Sequence, residues 1–415
     1  MMLLTPLLLV AAAGLCSACN GTKLFVASYA GSVTTLSLSL TSNNTYQLQN
    51  VSRNTDCAPS PSWLTLDKKN NVLYCADEGL STPGIGSLTS LSVSQSGYLT
   101  KLDHAMSNNG GVSSVVYGGR GKNGSQALAL AHYGGSALTT WELTPTGTLS
   151  LLQNITFNLT TPGPNSAQTA PHPHQAILDP TGQYVLVPDL GADLVRIFCI
   201  DPETNELASH EPLEVEAGSG PRHATFWSPQ NLTSRTFKEN STLYFYLLSE
   251  LASTISSYSV TYPASGGLSF TKLYSSATYG NSTPPAGIAA AEVQIRPSHS
   301  QYLLLSNRND STFSLPNIDP ANSTHEASDS LATFELNNDG TLLFKSLWPS
   351  GGTFPRQFQI NAKGDMVAVA DQTSNRIVIM KRDAETGEMG YPIAYWVDEA
   401  GEDGTGQVTC VIWDE

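Results

Sequence analysis

Three arginines sit in short polar motifs that interrupt apolar segments: Arg222 in GPRH, Arg308 in SNR and Arg356 in FPR. A guanidinium stays charged and can grip a carboxylate through two parallel N–H donors. Three such residues, among only 20 Lys and Arg, argue for a site that binds an acid group against the chain's own negative charge. His172 and His174 in PHPH, His223 beside Arg222, and Glu250 lie in motifs of the same kind, and these side chains can donate or accept a proton. Asp189, Asn307 and Gln372 occupy matching places and could orient a small substrate. None of this chemistry requires a metal or cofactor. An alternative metal set exists in His172, His174, Asp179 and Asp189, but two prolines crowd its His-x-His. No Gly-x-Ser-x-Gly turn of a serine hydrolase occurs, and no glycine-rich phosphate loop opens a helix.

Two kinds of segment alternate along the chain and must position these residues. The first is a strand, a polar turn and a second apolar strand, as in Trp63 to Ala76, Gln175 to Pro188, Glu292 to Ser306 and Gln357 to Ala370. Ser113 to His132 and Arg222 to Glu250 are longer versions. The second kind is an alternating hairpin with a glycine-rich turn, such as SQSGYLT, TPTGTLS, NNDGTLL and AETGEMG. Seven of these run from Val33 to Val51, Leu88 to Leu102, Leu138 to Leu152, Val195 to His210, Ile255 to Tyr274, Leu331 to Trp348 and Ile377 to Pro392. Period-two alternation with such turns reads as β-hairpins. Six inner hairpins against seven outer ones leave one to find. Lys23 to Tyr29 and Gln407 to Trp413 supply it if the chain ends pair. The expectation is an all-β, seven-bladed propeller of four-stranded blades, closed by pairing of its N- and C-terminal strands. A hairpin sets the start of its first strand beside the end of its second. Ser62, Ser113, His172, His174, Arg222, His223, Glu292 and Arg356 would then meet Asp77, Glu78, His132, Tyr133, Asp189, Glu250, Asn307, Arg308, Asp371 and Gln372 at one mouth of the channel.

Composition narrows the function. The chain has 415 residues, 40% of them apolar and only 13% charged, with a formal net charge of −15. Such a charge opposes nucleic-acid binding and docking on anionic lipid. Beyond the N-terminus no apolar run is long enough to span a membrane. Met1 to Leu15 reads as a signal peptide core, with cleavage after Ala18 and one domain over 19–415. Asn-x-Ser/Thr sequons begin at Asn20, Asn43, Asn50, Asn123, Asn154, Asn158, Asn231, Asn240, Asn281, Asn309 and Asn322, and point to N-linked glycans on a secreted, extracellular or cell-wall protein. Cys57 and Cys75 flank one hairpin and could pair, as could Cys19 with Cys410. Cys199 reads as a buried free thiol.

Five ordered segments resemble one known family: HPHQAILDPTGQYVLVPDLGADLVRIF from His172, GSGPRHATF from Gly218, ELASTISSY from Glu250, AAEVQIRPSHSQYLLLSNRNDST from Ala290, and GGTFPRQFQINAKGDMVAVADQTSNRIVIMKRD from Gly351. They look like the lactonase family of seven-bladed propellers, which includes propeller-type 6-phosphogluconolactonases and fungal 3-carboxy-cis,cis-muconate lactonizing enzymes. The resemblance implies His174, Arg222, Glu250 and Arg308 as the catalytic set, with His172 a second candidate for the histidine. His172, Asp189, His223, Asn307, Arg356 and Gln372 are expected to bind substrate. A signal peptide and sequons depart from the intracellular metabolism of those enzymes.

Lactone chemistry by these residues can run either way. In ring opening, Glu250 or His174 takes a proton from water while the arginines hold the acid group and the developing oxyanion. In ring closure, a carboxylate adds to a double bond and the same residues protonate the neighbouring carbon. The substrate is expected to be a small anionic molecule or a lactone. The competing expectation is a non-catalytic extracellular or cell-wall glycoprotein that binds a carbohydrate or protein partner, since propellers also serve as platforms. Oligomeric state is not legible in the sequence.

Overall fold

The computed structural model describes residues 21–81, 84–119, 124–230, 241–296, 300–318, 321–401 and 407–415. The signal peptide, the pairing of Cys19 and the sequons at Asn20, Asn123, Asn231 and Asn240 lie outside the described residues. Every repeat folds as its alternation requires. Seven antiparallel four-stranded sheets form the blades of a propeller. Blades 1 to 6 run outward in chain order from Pro61, Gly111, Ile177, Pro221, Ala289 and Pro355. Blade 7 takes its innermost strand from the C-terminus, Val408–Trp413, and its other three from the N-terminus, beginning with Thr22–Ser28. These two strands pair antiparallel from Leu24 opposite Trp413 to Ser28 opposite Val408. The expected closure is therefore present.

Burial follows position within a blade. Second strands are covered on both faces by neighbouring blades, and all six residues of Val72–Asp77, Tyr184–Asp189 and Tyr244–Ser249 are buried. This is why they read as unbroken apolar runs. Outermost strands such as Leu99–Asn108 face water and carry Lys101, Lys272 or Lys345, charges that discourage edge-to-edge pairing. The core is divided into seven apolar layers, each lying between two adjacent blades. Leu24 and Trp413 of blade 7, for example, pack with Ile377 and Ile379 of blade 6.

Three local features differ from the sequence reading. Blade 3 begins with only Ile177–Leu178 as a paired inner strand. Pro171 and Pro173 cannot donate to a ladder, so the HPH segment meets the blade through a single bridge from Pro173 to Asp189. Blade 5 carries an extra two-stranded ribbon, Phe313–Pro316 with His325–Ser328, between its second and third long strands. Cys199 is exposed, not buried, because it sits on the outward face of Leu194–Ile200.

Cys57 and Cys75 form a disulfide across 18 residues of chain. Closing a loop of this length removes unfolded-state freedom of about 3 kcal/mol. Replacing both cysteines with alanine is expected to lower stability by about that amount, read as a shift in the denaturant midpoint at unchanged slope.

Candidate active site

The innermost strands share one irregularity. In six blades the register slips at the start of the strand, so that extra residues oppose one partner. The slip falls at Ser62, Val112, Arg222 and Arg356, at Thr409, and at Ala291–Glu292 opposite Ser306. A bulge breaks the strict alternation of a strand and re-aims a side chain. Arg222 and Arg356 are themselves bulge residues, which lets His223 and Gln357 resume the regular pairing beside them.

In six blades, five of them bulged, the residue after the second strand closes the blade mouth with a repeated backbone bond. Tyr29, Glu78, Tyr133, Leu190, Glu250 and Gln372 donate their N–H groups to Gln407, Ser60, Gly110, His172, Gly220 and Phe354. These two repeated positions assemble the site.

Glu250 is its centre. Its Oε2 lies 2.9 Å from Arg222 Nε and 2.8 Å from Arg308 Nη2. The Arg222 contact is an ion pair without an aligned Nε–H hydrogen bond, while its Nη1 donates to the Ala291 carbonyl. Burial pushes the Glu250 carboxyl upward, but Arg308, Arg222 and Arg356 together outweigh this and hold it below its ordinary value. It is a carboxylate at neutral pH. Burial first, then repulsion from Arg308, push Arg222 down to about 9, so it remains a cation there.

Arg308 is fixed on every side. Its Nε and Nη2 donate to the Ala289 and Ala290 carbonyls at 3.2 and 3.3 Å, and its guanidinium lies 4.8 Å from the centre of the Phe354 ring. Phe354 holds a positive φ of 62°, and Asn309 and Ser311 hold 61° and 43°. Such conformations cost of order 1–3 kcal/mol each in a non-glycine residue. The buried Asp329 carboxylate compensates, accepting N–H bonds from Asn309, Asp310, Ser311 and Phe354 at 2.7–3.0 Å. Asp193 does the same ahead of Arg222, accepting from Gly218 and Gly220 at 2.7 and 2.9 Å.

A histidine tier adjoins this cluster. Glu292 can only accept when ionised, so the 3.2 Å contact makes His223 Nδ1 the donor and leaves Nε2 with its lone pair. His174 lies edge-on to His223, with centroids 5.2 Å apart, and edge-on to Tyr133 at 5.6 Å. Burial, then the arginines and His223, lower His174 well below the ordinary histidine value; burial also lowers His223 against the pull of Glu292. Both rings are neutral at pH 7. His174 Nδ1, His223 Nε2 and Glu292 Oε2 are buried and lack hydrogen-bond partners among the described residues. His172 stacks on Tyr133 at 4.2 Å and donates Nδ1–H to the Tyr133 carbonyl at 2.8 Å.

Arg356 closes the ring. Its Nη1 donates to the Tyr29 hydroxyl at 2.5 Å and its Nη2 to Glu78 Oε2 at 3.3 Å, while Tyr29 donates to the same carboxylate. Tyr29 and Glu78 in turn outweigh burial and raise the Arg356 pKa.

The structure thus brings together His174, Arg222, Glu250 and Arg308, with His172, His223 and Arg356 around them. Asp189 and Asn307 stand apart. Asp189 is fully buried and holds His172 N, Ala192 N and Arg196 Nε. Asn307 is equally buried and donates to Ser330 Oγ at 3.1 Å. Gln372 donates to Gln407 Oε1 at 2.6 Å, away from the arginines. The metal set of His172, His174, Asp179 and Asp189 is not assembled, because Asp179 accepts from Gln183 N, Tyr184 N and Tyr262 in a turn. Among the described residues no three His, Cys, Asp or Glu are grouped for a metal. Tyr29, Phe354 and Asp329 escaped the sequence reading. Tyr29 shares the position of Glu78, Tyr133 and Glu250 once the chain ends are paired.

Fold and site define a seven-bladed propeller with an arginine–carboxylate centre at one end of its channel. The model of the lactonase seven-bladed β-propeller family matches residues 23–399, and the chain belongs to that family. It is 30% identical over 369 residues to the probable 6-phosphogluconolactonase of Arthroderma benhamiae, covering 88% of this chain and 83% of that protein. The periplasmic gluconolactonase of Pseudomonas aeruginosa shares the fold with a TM-score of 0.71 at 21% identity, over 94% of this chain and 98% of that one. A protein from Lactobacillus plantarum also matches with a TM-score of 0.71 at 20% identity, over 95% and 99%.

Asp329→Ala strips four backbone donors of their acceptor. An unsatisfied buried donor costs about 1–3 kcal/mol, so the variant is expected to lose at least about 3 kcal/mol of stability in denaturant unfolding.

Proposed function

We propose that this protein hydrolyses a small lactone without a metal, using Arg222 and Arg308 to stabilise the oxyanion and His174 as the general base. The observation that carries this reading is the shared Glu250 carboxylate, which holds two guanidinium groups side by side at 2.9 and 2.8 Å. Water attacks the ring carbonyl and gives its proton to His174. The carbonyl oxygen becomes an oxyanion facing the guanidinium donors. Collapse breaks the ring C–O bond, and the leaving oxygen takes the proton back from His174 to give the open hydroxy acid. Glu250, being tied to both arginines, aligns them instead of acting as the base. Tyr133 and His172 wall the histidine side of the site.

The protein acts outside the cell as an N-glycosylated enzyme. The apolar N-terminal segment supports this, as does exposure of Asn43, Asn50, Asn154, Asn158, Asn281, Asn309 and Asn322. A fall in mass on enzymatic deglycosylation of the secreted protein tests it.

Removing one oxyanion donor costs about 100- to 1,000-fold in rate. Arg308→Ala is expected to lower kcat by that factor on a gluconolactone with its fold intact by circular dichroism. His174→Gln should lose about 100-fold or more. A base works when deprotonated, and His174 is held well below 6.5. The acid limb of kcat/KM should therefore fall below pH 6.5 and be absent in His174→Gln. A folded protein inactive on all lactones would favour a binding glycoprotein.

A further inference from the structure

The charged groups around the site cancel. Arg222, Arg308 and Arg356 supply three positive charges, and Glu250, Glu78 and Glu292 supply three negative ones. Each arginine already has a carboxylate partner. Glu250 serves Arg222 and Arg308 at 2.9 and 2.8 Å, and Glu78 serves Arg356 at 3.3 Å. Glu292 lies behind, on neutral His223. The guanidinium groups of Arg222 and Arg308 are further committed to backbone carbonyls of Ala289, Ala290 and Ala291. Read without these partners, the three arginines suggested an anion pocket. With them, no uncompensated cation awaits a ligand.

Resting on the lactone-hydrolysis reading, we infer that the substrate is an uncharged sugar lactone carrying hydroxyl groups, and that the site discriminates against phosphorylated and polycarboxylate lactones. A phosphate monoester carries nearly two negative charges at pH 7. Beside the guanidinium groups it would set those charges close to the carboxylates of Glu250 and Glu78, which already balance the arginines and stay in place. A dicarboxylate lactone of the carboxymuconate type carries a similar charge. The net charge of −15 adds repulsion at a distance, to the extent that salt does not screen it. Hydroxyls meet no such obstacle, because the carboxylate of Glu78 and the hydroxyl of Tyr29 can accept their hydrogen bonds.

The test compares kcat/KM of the full-length protein for D-glucono-1,5-lactone and for its 6-phosphate, corrected for spontaneous hydrolysis. Like-charge juxtaposition costs several kcal/mol, so a preference of about 100-fold or more for the uncharged lactone is expected. Equal rates, or faster turnover of the phosphate, overturn the inference. Glu78→Gln leaves the site with an extra positive charge and should narrow the ratio at least about fivefold; an unmoved ratio in the folded variant counts against the inference. If that variant does not fold, the wild-type ratio decides. Turnover of neither lactone would remove the hydrolytic reading alone. Calorimetric titration with D-glucono-1,5-lactam and its 6-phosphate then decides: tighter binding of the lactam upholds the inference, whereas tighter binding of the phosphate, or binding of neither, overturns it.

Discussion

The site depends on a pairing made far from most of its residues in sequence: the antiparallel contact between Thr22–Ser28 and Val408–Trp413. Seven apolar layers lie between seven blades, and each layer needs a blade on both sides. Blade 7 belongs to two layers, one against blade 6 and one against blade 1. Without its terminal strand, both would open to water. The ring is also what brings Tyr29, Glu78 and Arg356 together, although Glu78 and Arg356 are 278 residues apart. No blade holds enough of the site to work alone.

Within that frame, two devices convert a structural mouth into a chemical one. Bulges at the starts of the innermost strands break alternation where Arg222 and Arg356 emerge. Buried carboxylates then tie the loop before Arg222 and the loop after Arg308. Asp329 and Asp193 are as important to the placement of Arg308 and Arg222 as the strands are, yet neither carboxylate reaches the arginine it helps to place. Glu250 contributes in a different way, as the shared counter-charge that keeps two cations adjacent.

Much of the fold was legible because its signals are local. Glycine turns and period-two alternation mark the hairpins, and counting them leaves two unpaired strands at the ends. The gathering of His174, Arg222, Glu250 and Arg308 was legible because hairpin geometry sets strand starts beside strand ends, whereas their joint catalytic role is what the family resemblance implies. What escaped had non-local or irregular causes. Alternation assigns one face to Arg222 and the other to His223, so a bulge cannot be foreseen from it. Asp189 resembles the other residues at strand ends, and only the structure shows its oxygens engaged by backbone and Arg196. Phe354 gives no hint of a left-handed conformation, because the reason for it is a carboxylate 25 residues earlier. The ribbon at Phe313–Pro316 was missed because it lies in the connection between the Glu292 to Ser306 and Leu331 to Trp348 hairpins, outside the repeat.

The repeated bulge has a consequence for how such a protein can change. A side chain on a regular strand position belongs to an inter-blade layer, and altering it disturbs packing. A bulged side chain leaves those apolar layers, yet Ser62, Thr409 and Arg222 each donate to a backbone carbonyl of the next blade. Ser62, Val112, Arg222, Arg356 and Thr409 occupy the same structural slot with unrelated chemistry. The slot therefore doubles as a clasp between successive innermost strands, and a residue placed there for its chemistry must keep that bond to the next blade or do without it.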